Sequence, residues 1–167
     1  HHQPFLPSDL GFYDLRVPEV REQQAQLAKE AGIEGFCYWH YWFGNGERVL
    51  EKIFHDVVAT GSPDFPFCLG WANESWTGKW HGLENEIIFE QKYPGTADYT
   101  EHFNCLLPAF HDKRYMRVDG KPIFIIYRPD SLPSCADFCA LWNTLAQDNG
   151  LPGFYFISNG YQGAEWC

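Results

Sequence analysis

Apolar positions along this 167-residue chain alternate between two periods. Over residues 17–31 they recur at helical spacing, with Val20, Leu27, Ala28 and Ala31 on one face. Pro18 suits a first helical position and Gly32 a stop. Residues 35–43 read as an aromatic strand. The helical period returns over 47–60, where Leu50, Ile53, Phe54, Val57 and Val58 share a side ahead of Gly61. Residues 66–73 are the continuous apolar run of a buried strand. The pattern is then lost from 74 to 97, apart from an extended piece at 86–90, which predicts a long loop. Asp98 is placed to cap a helix whose inner face is Phe103, Leu106, Leu107 and Phe110. A strand is predicted over 122–127, a helix over 134–149 and a last strand over 154–158.

Strands apolar on both faces, each followed by an amphipathic helix, predict a parallel sheet covered by helices. An open nucleotide-binding sheet would carry a glycine-rich phosphate turn after its first strand, and neither G-x-G-x-x-G nor G-x-x-x-x-G-K occurs. Polar and aromatic residues gather instead at the C-terminal end of each strand, where barrel enzymes build their sites. The expected fold class is therefore α/β, of the (β/α)8 TIM-barrel type. A barrel needs eight strands and the pattern supplies four. Residues 1–167 are thus expected to form a partial barrel domain covering about strands two to five, with the rest supplied by parts of the protein outside this sequence.

Composition narrows the function. The net charge of −10 leaves no basic stripe for nucleic acid or an anionic membrane, and no apolar run is long enough for membrane insertion. Aromatic residues reach 18%, with seven Trp, a supply that suits stacking on the C–H faces of sugars as well as core packing. The six cysteines form no Cys-x-x-Cys and no zinc spacing, so no metal or other cofactor is expected, and a reduced, cytoplasmic setting fits them.

Three stretches are more specific. They are His2-Gln3-Pro4-x-x-Pro7-x-Asp9-Leu10-Gly11-Phe12-Tyr13-Asp14-Leu15-Arg16, Gly32-Ile33-x-Gly35-Phe36-Cys37-Tyr38-x-His40-Tyr41-Trp42-Phe43, and Pro66-Phe67-Cys68-Leu69-x-Trp71-Ala72-Asn73-Glu74-x-Trp76-Thr77. A weaker fourth is Asp119-Gly120-Lys121-Pro122-Ile123-Phe124 with Tyr127-Arg128-Pro129. In order and spacing these resemble the WbsX-type glycosyltransferases and the related family 99-like glycoside hydrolases, the endo-mannosidase group. The resemblance implies a barrel acting on the glycosidic bonds of a polysaccharide, in cell-surface (O-antigen) metabolism, with a glycan as substrate. It also implies that a second carboxylate comes from a later strand. The alternative is a non-catalytic glycan-binding or scaffold domain that keeps the aromatic cleft and lacks the carboxylate pair.

Glycoside chemistry uses carboxyl groups flanking the scissile bond, and Glu74 is the candidate catalytic residue here. On its strand, Phe67, Leu69 and Trp71 alternate with Cys68, Gly70, Ala72 and Glu74, so the small set is expected to face the barrel interior with Glu74 at its mouth. Asn73 is placed to bond a sugar hydroxyl or Glu74. His40, with Tyr38 and Trp42 on the same alternation, is expected at the mouth as well. Trp76 and Trp80 are candidate stacking platforms, and Gln3 lies in a segment suited to covering the site. Tyr127, Arg128 and Asn159 end the last two strands. Arg128 suits a carboxylate or phosphate on a glycan, or pairs with Asp130.

Overall fold

A computed structural model describes residues 5–79 and 82–158. Helix α1 (Pro18–Glu30) leads into strand β1 (Phe36–His40), helix α2 (Glu51–Thr60) and strand β2 (Phe67–Trp71). A hairpin of β3 (Trp76–Gly78) and β4 (Leu83–Phe89) precedes helix α3 (Thr96–Phe110). The short β5 (Arg117–Val118) turns back onto β6 (Lys121–Ile126), and α4 (Cys135–Asp148) returns the chain to β7 (Tyr155–Ser158). Strands β1, β2, β6 and β7 are parallel and adjacent in chain order, as the apolar runs predict. The sheet is α/β and mostly parallel, and it does not close on itself among the described residues.

The described helices cover one face. Phe67, Leu69 and Trp71 of β2 and Phe124 and Ile126 of β6 meet Phe54 of α2, Phe103, Leu106 and Phe110 of α3, and Phe138 and Trp142 of α4 in one buried cluster. Trp142 is central. Its ring lies 4.6 Å from Phe124 and 4.7 Å from Phe138, and its Nε1 donates to the Tyr99 carbonyl at 3.1 Å, so the polar atom of a buried indole is satisfied. A smaller cluster of Ala25, Ala28 and Phe65, with Phe36 against it, seats α1 beside the start of β1. No described helix covers the opposite face. It carries Cys37 and Trp39, Cys68 and Gly70, and Ile125, with Trp39 47% exposed.

Several elements depart from the expected boundaries for local reasons. Helix α2 starts at Glu51 rather than 47 because Leu50 takes a left-handed conformation (φ 60°) and Arg48 bridges back to Trp42. The predicted loop over 74–97 folds largely into the β3–β4 hairpin, whose register shifts twice and so hides any strict alternation. Asp98 does not cap α3. The N-cap is Gly95, and Asp98 sits buried in the first turn, where it accepts from Trp42 Nε1 at 3.0 Å and from the Asn45 amide at 2.6 Å. The capping motif does appear at α4, where Ser134 accepts from the Asp137 amide.

Candidate functional site at the strand ends

Beyond β2 the alternation sends Glu74 to the open side, at the C-terminal end of the strand. There it meets the end of β6, with Arg128 Nε 3.4 Å from Glu74 Oε2. A cavity of about 620 Å³ opens at this point. Glu74, Tyr127 and Arg128 line it from the strand ends, and Ser75, Trp76, Thr77, Lys79 and Ile88 line it from the hairpin side. Trp76 is held edge-on against Tyr41 at 5.0 Å and Phe89 at 5.8 Å, so its ring is a fixed wall. The Arg128 guanidinium lies over the Tyr127 ring at 5.2 Å. An oriented carboxylate, a cation and two aromatic surfaces thus share one concave site, a combination able to bind a polar ligand with apolar faces.

Asn73 has a different position. It is fully buried, and its amide spans the ends of β2 and β6. Nδ2 donates to the Arg128 carbonyl at 2.8 Å and to the Tyr93 hydroxyl at 3.1 Å, while Oδ1 accepts from the Arg128 amide at 2.7 Å. Tyr93 in turn donates to the Asn73 carbonyl at 3.0 Å. Its hydrogen-bonding groups are committed to protein partners, so the structure places Asn73 behind the site rather than on its surface. It fixes the backbones that carry Glu74 and Arg128.

The expected parity of β1 is reversed. Register pairs Tyr38 with Leu69 and His40 with Trp71, so Tyr38 and His40 face the helices. Tyr38 packs on Phe54 and Phe67. His40 Nε2 lies 2.9 Å from His102 Nε2 of α3, and Trp42 stacks flat on the His102 ring at 4.8 Å. Burial pushes His40 down to about 3, with His55 and Arg48 adding to the effect, and burial also holds His102 well below the ordinary histidine range. Both rings are neutral at pH 7. His102 Nδ1 is buried without a partner. An orphan acceptor costs less than an orphan donor, so we assign the shared proton to His102 Nε2, donating to His40. His40 and Trp42 are therefore core residues and Tyr38 is partly buried against the core, all on the side away from the strand-end cavity.

The large β1 residue on the other face is Trp39. It projects from β1 onto the open face, 5.6 Å edge-on from Tyr127. Gly70 makes room for it, since a Cβ there would sit 3.0 Å from the indole Cζ3 and 3.1 Å from Cys37 Sγ. The signal was present in the sequence: the rule that sends large β2 residues toward the helices also sends Tyr38 there and leaves Trp39 outside. Ser75, Thr77, Lys79, Ile88 and Tyr93 carried no such signal. Gln3, Trp80 and Asn159 lie outside the described residues.

A larger cavity, about 870 Å³, runs along the outer edge of β1 against α1 and α2. Its walls are mainly Tyr13, Leu15, Phe36, Tyr38, Trp39, Tyr41, Ile53 and Phe54, and its carboxylate, Asp14, is bound to Arg16 at 2.5 Å. Size favours this groove, but chemistry favours the strand-end cavity, where a carboxylate is displayed beside a loosely held cation. Among the described residues no cluster of three His, Cys, Asp or Glu is placed to hold a metal ion. No described helix is long and apolar enough to cross a membrane.

Comparison with known proteins follows the same lines. The family model described as "Glycosyltransferase WbsX" matches residues 1–165. Two proteins of Xanthomonas campestris pv. campestris, from strains B100 and ATCC 33913, each named "Uncharacterized protein WxcX", are 40% identical over 152 residues. Those residues are 90% of this chain and 21% of either relative, so the chain spans about a fifth of their length. A solved structure titled "Glycoside hydrolase-like protein" superposes with a TM-score of 0.62 at 15% identity, covering 92% of this chain and 46% of that one. At that identity the likeness concerns the fold.

Proposed function

The chain belongs to the WbsX glycosyltransferase family, and from that premise we propose that it forms part of a (β/α)8 barrel that binds a glycan at its strand ends and acts on glycosidic bonds of a polysaccharide. The family and the glycoside hydrolase-like fold support a carbohydrate-active protein. The barrel reading rests on four parallel strands in chain order with helices on one face, and on outer edges of β1 and β7 that pair with no described strand. A family 99-like chemistry and a role in cell-surface polysaccharide metabolism belong to the same proposal.

The observation that carries it is the placement of Glu74. It stands at the end of a parallel strand, on the face away from the helices, in one cavity with Trp76, Tyr127 and Arg128. Arg128 stands beside the carboxylate, and Trp76 and Tyr127 offer faces for sugar C–H groups. Glu74 then serves as one of the two carboxyl groups that glycoside chemistry requires, with the second from a part of the protein beyond these residues. The second reading, a glycan-binding domain without turnover, is favoured by one fact: Glu74 is the lone carboxylate among the described residues lining this cavity.

The test is Glu74→Gln. Glu74 is exposed, so the fold should stand. Glycan turnover should fall by at least about tenfold, or about 1.4 kcal/mol. A loss confined to binding, with no turnover in the parent, selects the second reading. Unchanged binding and turnover together with a lower melting temperature would make Glu74 a structural cap and refute both.

A further inference from the structure

We propose that the strand-end cavity selects an anionic glycan, with Arg128 and Lys79 receiving a carboxylate or phosphate carried by the sugar. This rests on the glycan reading above and names the substrate class of the same site.

The chain itself provides the comparison. Where an arginine serves as a structural partner here, it grips its carboxylate through two nitrogens. Arg16 holds Asp14 with Nε at 2.9 Å and Nη2 at 2.5 Å. Arg114 holds Asp112 in the same way, with Nε at 2.9 Å and Nη2 at 2.5 Å, and spends its remaining donors on the Pro63 and Val57 carbonyls. Arg128 does neither. Its closest approach to Glu74 is a single 3.4 Å contact, longer than a charge-assisted hydrogen bond. It also forms no ion pair with Asp130 among the described residues. Its position is nonetheless fixed, because Asn73 clamps its amide and carbonyl and the Tyr127 ring lies beneath the guanidinium.

A cation held in place yet loosely paired, and half exposed to a cavity, is prepared for an anion from outside. Lys79 lines the same cavity and has no carboxylate within ion-pair distance among the described residues. Counting Glu74, Lys79 and Arg128, the lining carries one net positive charge on a chain of net −10. Acidic excess elsewhere repels anions, so a local positive lining points to recognition of one. The planar fork of Arg128 suits a carboxylate or phosphate oxygen pair, and Trp76 and Tyr127 supply the sugar contacts that a free anion would not use.

The experiment measures affinity for matched ligands with the full-length protein. Neutral mannan, glucan and galactan oligosaccharides are each paired with counterparts oxidised to the carboxylate, or phosphorylated, at C6, and UDP stands in for a sugar-nucleotide donor. The expected result is at least about tenfold tighter binding of one anionic series over its neutral parent, weakening with salt. Arg128→Met should bring the anionic-to-neutral ratio close to one, and Lys79→Met should lower it severalfold. A ratio is read within one folded variant, so loss of fold does not mimic the effect. Carboxylate and phosphate arms identify which group is received. A parent ratio near one, or a ratio unmoved by both variants, overturns the inference while glycan binding sensitive to Glu74→Gln leaves the function standing. Binding of UDP alone overturns it as well, since the anion then belongs to a donor nucleotide. Binding of no member of the panel removes both readings.

Discussion

Replacing Asn73 by alanine separates a residue that touches ligand from one that holds the site. The change deletes an amide making three side-chain hydrogen bonds, two to the Arg128 backbone and one to Tyr93. The bond to Tyr93 is worth about 1 kcal/mol net, because Tyr93 keeps its bond to the residue 73 carbonyl. The Arg128 N–H and C=O are left without a partner, at about 1–3 kcal/mol each. The sum is about 3–7 kcal/mol, or a fall of roughly 10–20 °C in melting temperature for a domain of this size. Urea unfolding followed by tryptophan fluorescence gives the free energy, and glycan affinity is measured below the transition. Both should fall together, because the β6 end carrying Arg128 is released. Stability within about 1 kcal/mol of the parent, with binding abolished, would refute the clamp and make Asn73 a direct ligand contact.

Three further outcomes follow from other contacts. The neutral His40–His102 pair should make stability depend on pH in a set direction. Both imidazoles are depressed in the fold, so the unfolded chain takes up protons first, and stability is fully present above about pH 6.5 and falls as pH drops toward the folded value near 3. The slope is about 1.4 kcal/mol per pH unit for each ring between pH 6.5 and 5. Denaturation midpoints that stay level over that window would exclude a buried neutral pair. Cys37 and Cys68 are register partners whose thiols hydrogen-bond; Cys68 donating pulls Cys37 down, and that contact together with burial pushes Cys68 up. Diamide, as oxidant, should join the two, and peptide mapping that finds Cys37 linked elsewhere would refute the β1–β2 register. Trp142→Ala should destabilise by about 3–5 kcal/mol in chemical denaturation, since six aromatic rings within 6 Å, the His102 imidazole among them, lose their common neighbour; a cost below about 1 kcal/mol would mean that the helix layer is packed differently.

What could be read in advance divides along physical lines. The runs at 66–73 and 122–127 are apolar on both faces, and only a covered parallel strand uses such a sequence, so the sheet and its chain order were legible. So was the alternation that brings Glu74 to the open side. Strand β1 was harder, because Tyr38, Trp39 and His40 are all large. Which parity faces the helices is decided by register with β2, a tertiary fact. His40 looked like a site residue because its partner, His102, lies 62 positions away on a helix. The β3–β4 hairpin escaped because two register shifts break its period. Asn73 stands out in its motif, but nothing local says that its amide will meet the backbone of residue 128.

The Asn73 clamp has an evolutionary consequence. It grips residue 128 only through main-chain atoms, and residue 74 follows the clamp directly along the chain. Geometry at these positions is therefore encoded separately from side-chain identity. Any residue at 128 that tolerates the same backbone would be presented at the same point, at small cost to the fold. Drift at 74, 76, 127 and 128 could retune ligand preference while 73 and 93 keep the frame, allowing related proteins to diverge in substrate without redesigning the scaffold.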